Sequence, residues 1–180
     1  MTALRLIALA SLFAALSIAA GCGGGGDDES SASAWADDLC GSLTTWKDSI
    51  DSIANELKQS PSRDQLESAA DDAKDATSTL VDDLKGLGTP DTEAGDQAKE
   101  TVDTLTSQVE DGVDTVQQAV DNASGASGML NAISVASREL ATLLQQISTS
   151  YQQLKGLDPG GELESALQDS SSCQSLSSSS

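Results

Sequence analysis

Residues 129–154 read MLNAISVASRELATLLQQISTSYQQL, and the placing of their apolar side chains decides the fold class. Met129, Leu130, Ile133, Ala136, Leu140, Leu143, Leu144, Ile147, Tyr151 and Leu154 recur mostly three and four residues apart. That spacing lays them along one stripe of a helix with 3.6 residues per turn, whereas a half-buried strand would alternate at period two. Away from the stripe lie Gln145, Gln146, Ser148, Ser150, Gln152 and Gln153, polar but uncharged. Such a face reads as solvated surface, or alternatively as a contact surface for a partner.

The same pattern extends upstream. Residues 122–128, NASGASG, form a small-residue turn. Before it, a third helix carries Ala94, Ala98, Val102, Leu105, Val109, Val113, Val116 and Val120, and opens at Thr89-Pro90. Gly95 and Gly112 weaken this helix by about 1 kcal/mol each relative to Ala, with a bend expected at Gly112. A second helix carries Leu66, Ala69, Ala73, Ala76, Leu80, Leu84 and Leu87 and ends at Gly86, Gly88 and Pro90. Its start is open between Ser60 capping Pro61 and a Ser62/Gln65 capping box. The first helix begins near Trp35, with Leu39, Leu43, Trp46, Ile50, Ile53 and Leu57 on its seam. Trp46 falls on that seam, so it is expected in the core. Trp35 lies one position off, and reads as a cap on the base of the fold or as a contact with a membrane interface.

Downstream, Gly156 and the turn Asp158-Pro159-Gly160-Gly161 end the fourth helix, and residues 162–169 form a short one with Leu163, Ala166 and Leu167 on one side. The segments LKGLGTP (84–90) and LKGLDP (154–159) are loosely alike. They read as an internal duplication or as two helices ending by the same Gly chemistry. The expected fold is all-α: an antiparallel up-down four-helix bundle with a short C-terminal helix, over residues 34–173, followed by a disordered Ser-rich tail at 174–180.

The N-terminus has different chemistry. Met-Thr-Ala-Leu-Arg is followed by a fifteen-residue, largely apolar run, 6–20, and then by Gly21-Cys22. At about 1.5 Å per residue this apolar run is roughly 22 Å long, short of a ~30 Å hydrocarbon core. A positive start, a short apolar centre and a small-residue cleavage site describe a secretory signal peptide. Ile18-Ala19-Ala20-Gly21-Cys22 resembles the lipobox of bacterial lipoproteins, with Ala19 where Leu is usual. The resemblance implies cleavage between Gly21 and Cys22, diacylglycerol in thioether linkage on Cys22, and often N-acylation. Residues 1–21 are then the signal peptide, and 22–33, rich in Gly, Asp and Ser, a lipidated flexible tether. Lipobox, acidic Gly spacer, the stretch Trp35-Ala-Asp-Asp-Leu-Cys40 and a near-terminal Cys together look like the small helical lipoproteins of high-GC Gram-positive bacteria, a resemblance that carries no activity with it.

Export places the other two cysteines in an oxidising compartment, where thiols pair. Cys40 is near the start of the first helix and Cys173 near the chain's end; bundle parity returns the end of the fourth helix to the base, so a Cys40–Cys173 disulfide is expected. A thiol catalyst or metal ligand lacks partners, since the chain has no His and no Cys-x-x-Cys. The tether enters at that base, so the turns at 59–61 and 122–128 should point away from the membrane.

Composition bounds the rest. The 180-residue chain has 9 Lys and Arg against 29 Asp and Glu, for a formal charge of −20. A phosphate backbone would repel it, so no nucleic acid is expected as partner. Sixteen of the acids lie between Asp64 and Asp121, and the fourth helix carries only Glu139. Clusters such as Asp71, Asp72 and Asp75 lie on helix surfaces without the turn geometry of a calcium loop. A di-metal bundle and a His-dependent triad both require the missing His. No catalytic residue, metal or cofactor is assigned, and no enzyme is expected. The expected role is that of a membrane-anchored, extracytoplasmic, non-enzymatic envelope protein acting through an envelope protein partner. The alternative is a module that binds a small apolar ligand within the bundle. A scaffold would pack solidly, whereas a ligand module would leave an internal apolar void; oligomeric state is not encoded in any pattern here.

Overall fold

The computed structural model describes residues 31–59 and 62–178. The expected signal peptide, Gly21, Cys22, most of the expected tether and the Ser60-Pro61 pair lie outside the described residues. Within them the chain is all-helical, with α1 (Ala32–Gln59), α2 (Arg63–Gly86), α3 (Gly95–Asp121), α4 (Gly125–Leu157), α5 (Glu162–Asp169) and α6 (Ser171–Ser178) packing together.

The ends of these helices have local causes. Ser62 is the N-cap of α2, accepting a hydrogen bond from the Gln65 backbone N–H at 3.1 Å; this satisfies one of the orphan donors of the first turn. α3 starts at Gly95, five residues after Pro90, because residues 90–95 are held as a turn. The N–H of Thr92 donates to Pro90 at 2.8 Å and that of Gly95 to Thr92 at 3.0 Å. Gly95 is there for space: a Cβ at this position would collide with the Pro90 carbonyl oxygen and with Thr89. Gly112 likewise marks a close approach, since a Cβ there would stand 3.0 Å from Leu143 of α4. α3 runs unbroken through it. The turn before α4 is shorter than the Gly-rich sequence implies, with the helix already under way at Gly125.

Consecutive helices pack on one another, α1 on α2, α2 on α3 and α3 on α4. α1 then finds its further neighbours in α5 and α6, and α5 also packs on α4. α5 thus bridges α1 and α4, and α6 packs on α1 and α5. The expected disordered tail is therefore corrected over much of its length: α6 runs to Ser178, with Cys173 fully buried and Leu176 packed against the core. An eight-residue helix is too short to persist alone in water. It is held by that burial and by its bond to α1.

Burial is uneven along the helices. On α1 the seam residues Leu39, Leu43, Trp46 and Ile50 are buried as expected, but Ile53 and Leu57 are half-buried. On α4, Leu143, Ile147 and Leu154 are buried, while Ile133, Ala136 and Leu140 are half-buried. Leu130, placed on the apolar stripe by spacing, is 66% exposed, and Ala132 takes the buried place beside it. Ser150, assigned by sequence to the outer polar face, turns inward and is buried. The core accordingly divides into a large cluster around Trp35, Cys40, Leu105 and Leu167, and a small one at the far end formed by Leu66, Ala70, Val120 and Ala132.

Candidate functional site

Cys40 and Cys173 are joined in a disulfide that spans 133 residues of sequence, with their Cα atoms 4.9 Å apart. Trp35 is fully buried beside it, in the same cluster, and its indole N–H donates to the Gly88 carbonyl at 3.2 Å. It caps the base of the fold, tying α1 to the segment after α2. Tyr151 adds a further tie: its hydroxyl donates to the Leu167 carbonyl at 3.3 Å, joining α4 to α5. Burial raises the Tyr151 pKa above its usual value of 10.0, since the ionised phenolate would lose solvation. These groups are structural. Among the described residues no group of three or more His, Cys, Asp or Glu side chains comes together to hold a metal.

The other half of the molecule holds the feature that packing leaves unexplained. Between the two apolar clusters lies a cavity of about 320 Å³. Its walls come from all four long helices: Trp46, Ile50, Ile53, Ala54 and Leu57 of α1; Leu66, Ala69, Ala70 and Ala73 of α2; Val113, Val116 and Val120 of α3; Ile133, Ala136, Leu140 and Leu143 of α4. Only two lining residues are polar, Lys58 and Ser137. The half-buried state of Ile53, Leu57, Ile133 and Leu140 shows that the cavity opens to solvent on one side.

The cavity arises because the two ends of the molecule are filled differently. At the disulfide end, α5 fills the space between α1 and α4, with α6 packed on α1 and α5. Among the described residues no comparable element fills it at the far end, and there the seam is lined by Ala54, Ala69, Ala70, Ala73 and Ala136, which are too small to close the gap. At the floor, the Trp46 indole is fixed by donating to the Thr77 hydroxyl of α2 at 3.0 Å, in a buried pair. Thr77 goes unseen in the sequence because a polar residue does not register in an apolar pattern; only its position one residue after Ala76 on the inward side of α2 could have pointed to it.

The chemistry available to this site is apolar contact with one cation at its edge. An ordered water needs two to four polar partners, and Ser137 and Lys58 alone line the wall with polar groups. On the scale of about 24 cal/mol per Å³ for voids left in cores, empty space of this size would be a large fraction of a typical ~5–15 kcal/mol stability. Opening on one side lessens that cost, and an apolar occupant would remove more of it.

Among the described residues, no helix is long and apolar enough to cross a membrane. Comparison of the chain with protein-family models, curated proteins and solved structures finds no match.

Proposed function

We propose that the protein is a lipid-anchored extracytoplasmic binding protein that holds a small apolar ligand between its four long helices, without catalysing a reaction on it. The observation that carries the reading is the apolar cavity between α1, α2, α3 and α4. Ligand sites are commonly concave, mostly apolar and about 300–1,000 Å³ in volume; at about 320 Å³ this one suits a small ligand. The anchor reading rests on the lipobox sequence ending at Cys22. An antiparallel up-down course of the four long helices, with Cys40 and Cys173 at the base, sets the cavity in the half away from the tether. The ligand would then be presented away from the membrane.

A second reading, binding of an envelope protein, has one observation in its favour. Leu130, 66% exposed, stands on the outside of the small cluster, where a partner could cover it.

The test is photo-crosslinking of the full, membrane-inserted protein in phosphatidylcholine vesicles, using dodecanol that bears a diazirine in its chain. Peptide mass spectrometry should place the label on α1 near Ile53 and Leu57 and on α4 near Ile133 and Leu140, and should find the lipid on Cys22. Label spread over the outer surface, or confined to peptides around Leu130, would overturn the ligand reading. An unmodified Cys22 would overturn the anchor.

A further inference from the structure

We propose that the cavity takes a single-chain amphiphile with an anionic head group, its chain among the four helices and its head paired with Lys58. The inference rests on the reading of the cavity as an apolar ligand site, and it names the ligand's class. Among the described residues Lys58 is the one charged side chain in the cavity wall, in a chain whose acids outnumber its bases by 29 to 9. A wall that avoids carboxylates against those odds and includes an exposed lysine is complementary to a negative group.

Among the described residues no acid forms an ion pair with this ammonium. Lys47, Arg63 and Lys99 each pair with an acid four residues on, Asp51, Glu67 and Asp103. Lys58 has Ala54, Asn55, Pro61 and Ser62 at the corresponding positions, so no acid on its own helical face is within reach. Asp51, two turns earlier on that face, is held by Lys47 at 3.0 Å. Size sets the chain. The cavity is about twice the ~150 Å³ of an engineered apolar void that admits benzene, which corresponds to roughly a dozen carbons. A head group on such a chain emerges at the rim where Lys58 stands.

Lys58 lies in the last turn of α1, where the helix dipole also favours a cation. That structural role would affect stability without regard to the ligand's head group, so head-group selectivity separates the two. Carboxylate and phosphate heads share the required charge, and both are tried.

In the crosslinking assay above, unlabelled laurate, lauroyl lysophosphatidate, dodecanol and dodecyltrimethylammonium compete with the diazirine-dodecanol at about 0.15 M salt, where charges farther than ~8 Å are largely screened. At least one of the anions should compete about two- to five-fold better than dodecanol, the range an exposed ion pair supports. Whether it is laurate, lysophosphatidate or both identifies the head group. Lys58→Gln should erase the advantage, Lys58→Glu should reverse it, and Lys58→Arg should retain it, each read as the ratio of anion to dodecanol competition within the same variant. Equal competition by anions and dodecanol, or better competition by the quaternary ammonium, would overturn the head-group assignment and leave the apolar site standing. Failure of every amphiphile to reduce cavity labelling would overturn both.

Discussion

At the scale of single residues, the two glycines of α3, Gly95 at its first position and Gly112 in its interior, have opposite prospects. Glycine in a helix interior costs about 1 kcal/mol relative to alanine, so alanine at Gly112 gains that intrinsic preference, whereas at the first position the gain is smaller. At Gly95 the new Cβ would meet the Pro90 backbone, which cannot move without breaking the turn that starts α3. At Gly112 it would meet the side chain of Leu143, and Leu143 lines the cavity, so it has empty space to yield into. Gly112→Ala should therefore stabilise the protein by up to about 1 kcal/mol, and Gly95→Ala should destabilise it by about 1–3 kcal/mol as overpacking does. Urea unfolding of the two variants checks both signs; destabilisation by Gly112→Ala would mean that Leu143 is held rigidly. The apolar pattern expressed these glycines only as helix weaknesses. Their actual role depends on what lies across the interface, and a single sequence does not print that.

At the scale of elements, the half of the molecule around the disulfide was legible and the other half was not. Trp46 in the core, the short helix at 162–169 and the Cys40–Cys173 bond all follow from spacing, turn chemistry and cysteine number. In the far half the spacing of Ile53, Leu57, Ile133 and Leu140 is just as regular, yet these residues border a cavity. Periodicity reports which face is apolar, not whether the facing side chains have enough volume to meet. The same limit hid α6, whose serine-rich sequence has no stripe and which is held through Cys173 and Leu176. This dependence has a measurable consequence. A loop of 133 residues gives about 5 kcal/mol on the chain-entropy estimate, with losses of 2–5 kcal/mol usual on removal. Reduction with dithiothreitol should lower stability by about that range, and hydrogen exchange should lose its protection over residues 171–178 while α3 and α4 keep theirs. Unchanged protection in α6 after reduction would show that apolar contact alone holds it.

At the scale of the whole molecule, charge opposes the fold. The described residues hold four ion pairs, Lys47–Asp51, Arg63–Glu67, Lys85–Glu110 and Lys99–Asp103, exposed apart from the partly buried Lys47. Exposed pairs contribute between about 0 and 1 kcal/mol each, and only Lys85–Glu110 joins two helices. Against them stands a net charge of −20, whose self-repulsion is relieved when the chain expands. The two effects respond to salt in opposite directions. Screening weakens the pairs, but it weakens the more numerous long-range repulsions further, because the Debye length shrinks from about 30 Å at 0.01 M to about 8 Å at 0.15 M. With the acids concentrated between Asp64 and Asp121, on α2 and α3, repulsion across that helix pair outweighs the attraction within the four ion pairs. Thermal unfolding should therefore shift upward by about 2–4 °C between 0.01 and 0.15 M NaCl, equivalent to about 1 kcal/mol for a chain of this size, and level off above that concentration. A shift that falls with salt would assign the four ion pairs a weight that their exposure argues against. A shift that keeps rising well beyond 0.15 M would point instead to salt acting on exposed apolar surface, such as the wall of the open cavity.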